Sequence, residues 1–274
     1  MLPLQSSYFI YESLDAMLKV ANGPCDIPKE SRSSQRAPES WDGGLSYDDA
    51  VNLVLNGDMD AARKLSPATV SAANTIVATA ESVEPYFRDD GGRWVDVARF
   101  NAGEPEHFGD MRVEMNPKVS VSVMVNCAVS ANVPARKIDL LGVSVGSAIL
   151  GLQALGHCVT VYACETLDRG RRATISAPIN PNGSTLDISR LMSCLRPYFL
   201  RRIMFAVNET AFDKGLREHM GVPCGGYGTV GRMTQADAKK ISSADVSVII
   251  DAASFVNFPQ DAQQRIIDSI KGGN

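Results

Sequence analysis

Six arginines stand in two short groups, Arg169-Gly170-Arg171-Arg172 and then Arg196, Arg201 and Arg202. Planar guanidinium forks suit phosphate oxygens and nucleic-acid backbones. If the two groups converge they make a local basic patch on a chain of formal net charge −4. Arg169, Arg171, Arg172, Arg201 and Arg202 are then the candidates for binding a phosphate or a partner. The plainer use of the first group is a charged hairpin tip, which protects a sheet edge from association.

Other patterns offer less. Gly226-Tyr227-Gly228-Thr229-Val230-Gly231 has the spacing of a dinucleotide-binding loop. That loop works when it leaves a strand and enters a helix. Val222-Pro223-Cys224-Gly225 precedes it here, so a glycine turn is the better account. Gly142-Val143-Ser144-Val145-Gly146 spells a nucleophile elbow, yet falls inside a helical stretch instead of a strand-to-helix turn. Cys127 lies near the end of an apolar run, where open α/β sheets place their sites, and is the best single thiol candidate. The carboxylates Asp89, Asp90, Asp96, Glu104 and Glu106 lack the spacing of a calcium loop and read as solvated surface.

The elements that must position these residues centre on 119 to 179. VSVSVMVN, the stretch PARKIDLLGVSVGSAILGLQAL, and HCVTVYACE form a strand, a helix and a second, parallel strand. Within the helix Ile138, Leu141, Val145, Ala148, Ile149 and Leu152 recur at three- and four-residue steps. Pro134 suits its first turn, Asn132 is placed to cap it, and Gly156 ends it. ATISAPI follows too closely for a crossover and should return antiparallel. Further on, 201 to 207 reads as another parallel strand, 209 to 233 as irregular, 244 to 251 as a strand and 259 to 270 as a helix stacked on the sheet.

Before that unit, Ser13 caps a helix to Val20, and Ser46 with Asp49 opens a second. A third helical stretch covers 59 to 83, and 84 to 118 is expected to lie across the later sheet. The chain divides into 1–95, a helical amino-terminal region with a mobile linker at 22–40, and 96–274, an α/β domain. The fold class is α/β, a mostly parallel sheet with an antiparallel edge hairpin.

With 274 residues, 45% of them hydrophobic and 21% charged, the chain has ample material for a core. Neither composition nor charge pulls it toward nucleic acid or membrane as a whole. No run reaches a membrane span and no secretory signal is visible, so a cytoplasmic setting is expected. Six cysteines without a CxxC pair and three scattered histidines argue against a structural zinc site. No cofactor is expected.

The order of a βαβ unit, an antiparallel hairpin and further parallel strands resembles von Willebrand factor A domains over roughly 119 to 274. Such a domain usually holds magnesium with an Asp-x-Ser-x-Ser motif after its first strand. The corresponding stretch is Asn126-Cys127-Ala128-Val129-Ser130, in which only Ser130 matches. The resemblance therefore implies a degenerate metal site at Asn126, Ser130 and Asp251. More narrowly, SWDGGLSYDDAVNLVLNGD, DVARFNAGEPEHF, GVSVGSAILGLQALGHCVTVY and LRPYFLRRIMFAVNE resemble an uncharacterised bacteriophage protein family. That likeness implies a protein of the infected host cytoplasm or the virion. The leading expectation is a non-enzymatic protein-binding or assembly factor, with a protein partner or self-association. The alternative is a nucleic-acid or phosphate-binding factor of phage replication or transcription, acting through the arginines. The weakest reading is an enzyme using the cleft near Asn126, Ser130 and Asp251.

Overall fold

The computed structural model describes residues 6–36, 43–63, 83–89, 94–113, 119–130, 132–181, 186–223 and 227–271, with isolated positions between them. Strand β1 (Ser6–Ile10) leads into helix α1 (Leu14–Ala21), and helix α2 (Tyr47–Asn56) follows. A small antiparallel sheet comes next, built of β2 (Val83–Arg88), β3 (Trp94–Val95) and β4 (Phe108–Val113), with helix α3 (Val97–Asn101) between the last two. The central unit is β5 (Ser120–Asn126), helix α4 (Ala135–Ala154), β6 (Cys158–Asp168) and β7 (Arg172–Pro178). Helix α5 (Ile188–Cys194) precedes a π-helical stretch, Phe199–Met204, that continues as α6 (Phe205–Ala211). Then come α7 (Lys214–Met220), β8 (Thr229–Val230), α8 (Gln235–Ile241), β9 (Val246–Asp251), α9 (Ala252–Phe255) and α10 (Pro259–Lys271).

The main sheet runs β1-β7-β6-β5-β9, with β8 added against β6. Strands β9, β5 and β6 are parallel, β7 runs antiparallel to β6, and β1 lies parallel to β7. This is the α/β fold that the sequence pattern dictates. The β-branched run of β5 is buried from Val121 to Asn126, so it is the sheet's centre. Helix α4 buries its apolar stripe there and packs against α10. By length and composition α4 could cross a membrane, but 56% of its most apolar stretch is buried inside the fold. Pro134 occupies its N-cap position and no side chain caps it, so Asn132 does not serve. At its end Gly156 takes φ +87° and His157 donates its amide to the Leu152 carbonyl, a left-handed helix stop.

Three stretches differ from expectation. Residues 201 to 207 are helical, not a strand. A short apolar run buried on every side looks the same in a central strand and a core helix, and Leu200, Met204, Phe205 and Ala206 are not β-branched. Residues 209 to 233 are not irregular: Asp213 accepts from the Leu216 amide to cap α7, and Gly221 at φ +74° ends it. Within the segment 84 to 118, the described strands β2, β3 and β4 pair with one another as the small sheet. The helix expected over 59 to 83 lies mostly outside the described residues, and its described positions from 59 to 74 are helical.

The amino-terminal elements belong to the same core. Ser13 and Ser46 cap α1 and α2 as expected. Leu14, Met17, Leu18 and Ala21 are buried, and α1 packs on α6 while α2 packs on α5 and the π-helical stretch. Between residues 22 and 36 the chain makes two single 3-10 turns, and Ser34 within them is fully buried. Gly57, at φ +83°, ends α2 against α5, where an added Cβ would stand 1.9 Å from the Ser189 hydroxyl oxygen.

Candidate functional site

Parallel register brings Asn126 at the end of β5 beside Asp251 at the end of β9 and Cys164 on β6. The Asn126 amide nitrogen donates to Asp251 Oδ1 at 2.7 Å and to the Gly231 carbonyl at 2.9 Å. Its oxygen accepts from the Thr166 amide at 3.0 Å and the Ala128 amide at 3.4 Å. These partners fix the amide's orientation, since acceptors meet its NH2 and donors meet its oxygen. A donor therefore points at Asp251 where a cation would have to sit. Asp251 also accepts from the Met233 amide at 3.1 Å. Ser130 stands apart, exposed, its hydroxyl accepting the Asn132 amide at 3.3 Å. Asn126 and Asp251 meet, but with Ser130 they do not fit magnesium.

Cys127 is equally engaged. Its thiol donates to the Cys164 carbonyl at 3.0 Å. Burial pushes the thiol well above its ordinary pKa, and the neighbouring Glu165 adds to the effect, so the nucleophilic thiolate is disfavoured. The void beside it holds about 20 Å³, room for roughly one water.

Beyond the carboxyl ends of β5 and β6 lies a larger cavity of about 470 Å³. Val129, Leu167, Leu200, Phe205 and Val230 form its apolar wall, and Ser130 and Thr229, both exposed, mark its opening. Glu165, Arg201 and Tyr227 are the ionisable side chains among its described lining residues. Glu165, on β6, is 1% exposed and accepts from the Asn208 side-chain amide at 2.9 Å. Burial raises its pKa to about 8, partly opposed by that hydrogen bond. Arg201, 2% exposed, comes from the π-helical stretch. Tyr227 closes one side, stacked on Phe205 at 3.9 Å and 7°. It is held at φ +57°, and its hydroxyl donates to Glu209, which also accepts the Ser34 amide and hydroxyl.

The family model for Domain of unknown function (DUF7192) matches residues 6–266, from β1 into α10. The chain belongs to that family. No curated protein and no solved structure matches it.

In this DUF7192 chain the five candidate arginines do not converge. Arg202 is buried and donates to the carbonyls of Leu45, Ser34 and Arg36, tying the amino-terminal segment to the π-helical stretch. Arg172 pairs with Asp237 at 2.5 Å and donates to the Arg232 carbonyl, while Tyr8 on β1 donates to the other Asp237 oxygen at 2.7 Å. Arg201 lines the cavity. Arg169 and Arg171 remain at the hairpin tip, Arg169 exposed and Arg171 partly so. The neighbouring Arg196 pairs with Asp139 at 3.0 Å.

The glycine loop does not hold a dinucleotide arrangement. Gly226 lies outside the described residues, the Gly228 and Gly231 amides donate to the Met220 and Thr166 carbonyls, and β8 runs antiparallel on β6. The first helix after it, α8, closes its own amino terminus with a Thr234–Asp237 capping box. The Gly142–Gly146 pattern sits within α4. Of the acidic segment, Asp96 caps α3, Glu104 pairs with Arg99 at 3.2 Å, and Asp90 lies outside the described residues. Sequence reading passed over Glu165, Asn208 and Tyr227. Glu165 had one signal, being the sole carboxylate in the buried run from Val159 to Leu167.

Proposed function

We propose that the chain is a non-enzymatic binding or assembly protein that recognises a protein partner or a second copy of itself, phage-encoded and built on a von Willebrand factor A-like sheet. The observation that carries this reading is how the carboxyl-end face is used. Asn126 and Asp251 spend their hydrogen bonds on each other and on backbone, and Cys127 holds its proton against the Cys164 carbonyl. Groups standing where α/β sheets usually do chemistry serve structure instead.

Three further observations favour it. A βαβ unit, an antiparallel hairpin and a parallel strand beside the first follow the order of a von Willebrand factor A sheet. The segments that resemble phage proteins are spread over the chain, which fits a protein of an infected cell or virion. Val97 and Phe100 on α3 are 65% and 58% exposed with Val95 close by, and apolar residues three apart share a helix face that suits partner docking.

A tagged pull-down from the native host, split into nuclease-treated and untreated halves, tests the proposal. A discrete partner that survives nuclease and is lost in Val97→Asp/Phe100→Asp supports it. Associates that vanish with nuclease point to the alternative, nucleic-acid binding through Arg169 and Arg171 at the surface tip. Steep salt dependence lost in Arg169→Ala/Arg171→Ala would then be seen.

A further inference from the structure

We propose that the cavity beyond β5 and β6 binds a small neutral molecule, mainly apolar, with a hydroxyl or amide at the end that faces the mouth. The proposal goes beyond the partner-binding reading and does not depend on it. The cavity holds about 470 Å³, within the range of small-molecule sites, and it lies at the carboxyl ends of parallel strands, where open α/β sheets bind ligands.

The state of the ionisable groups decides against a charged guest. Arg201 is engaged within the chain and only 2% exposed. Glu165 is as deeply buried, accepts from the Asn208 amide, and is uncharged at neutral pH because burial raises it to about 8. Tyr227 gives its hydroxyl hydrogen to Glu209. None of the three leaves a counter-charge for a ligand. A cation or an anion entering this space would lose its hydration without a partner in return. A neutral body escapes that cost and gains from covering Val129, Leu167, Leu200, Phe205 and Val230.

At the mouth the chemistry changes. Ser130 and Thr229 are exposed there, and a hydroxyl that accepts one bond, as Ser130 accepts the Asn132 amide, still has a hydrogen to donate. These two side chains suit an uncharged polar end and set which way the molecule enters. Two unusual backbone features shape the walls. Leu200 belongs to the π-helical stretch, a form often found at functional sites. Tyr227 is held in the left-handed region at φ +57°, a strain that binding sites tend to keep.

Isothermal titration of the full chain with naphthylethanol, naphthylethylamine and naphthylacetate, one apolar body carrying a neutral, a cationic and an anionic head, tests the proposal. The alcohol should bind saturably, and both ions at least about tenfold more weakly. Ser130→Trp and Thr229→Trp each place a large ring at the exposed mouth. Either should abolish binding of the alcohol while leaving the melting temperature within a few degrees, and two separate positions keep the test from hanging on one variant's folding. No saturable binding of the alcohol, an ion bound as tightly as the alcohol, or binding untouched by both tryptophans overturns the site.

Discussion

At the scale of single residues, a charge buried by the fold decides both stability and what could be read beforehand. Burial raises the Glu165 carboxyl from its ordinary 4.5 to about 8 in the folded chain. The native state therefore holds the proton more tightly than the unfolded one. Its contribution is fully present below about pH 4.5 and is lost as pH rises through 8, on the order of 3–5 kcal/mol in all. Glu165→Gln should flatten that alkaline loss, and thermal unfolding at pH 6 and pH 9 checks it; wild type and variant falling in parallel would sink the assignment. Arg202 feeds three carbonyls from the core, so Arg202→Ala should lower stability by about 3–5 kcal/mol. Arg169→Ala at the tip should stay within about 0.5 kcal/mol. Urea unfolding separates the two. Nothing in the order of letters distinguished these arginines, because arginine is rarely buried and neighbours in sequence are assumed to share an environment. The π-helical stretch removes both Arg201 and Arg202 from the surface.

Among elements, local signals were legible and distant pairings were not. The crossover unit and its hairpin follow from apolar period and connection length, and Ser13 and Ser46 announced their helices. Asp213 and Gly221 marked α7 just as plainly and were passed over. The run at 201 to 207 carried no period that tells a buried helix from a strand. No pattern could show that β1 joins β7. That edge is held by Asp237, which Tyr8, Thr234 and Arg172 all engage. Burial works to raise the Asp237 carboxyl, but the Tyr8 and Thr234 hydrogen bonds and Arg172 hold it below its ordinary range. Its stabilising contribution is present above the unfolded pKa and is lost as pH falls through the folded one. Asp237→Ala should cost about 2–4 kcal/mol and loosen β1 first; hydrogen exchange of 6–10 reports this, and uniform exchange across the sheet would contradict it. Gly57→Ala would add strain at φ +83° and collide with Ser189, a loss of about 2 kcal/mol or more by urea unfolding.

For the whole molecule, the candidate cavity is a product of convergence. Its walls come from β6, the segment after β5, the π-helical stretch and the loop at 227 to 230, none of which carries a motif for it. The letters that did spell motifs lie in a core helix, at 142 to 146, and in the stretch 227 to 231 that holds strand β8. The parallel pairing of Ser6 with Arg172 also sets an order of events during synthesis. β1 leaves the ribosome well before β7, the strand it pairs with, and parallel pairings of such sequence separation form slowly. Until then Tyr8, Phe9 and Ile10 have no sheet to join, and a nascent chain in that state offers a bare edge to any neighbour. Nascent chains arrested before residue 172 should be cut by protease near β1, and those released beyond α8 should resist. Early resistance would mean that another segment shelters the strand while it waits.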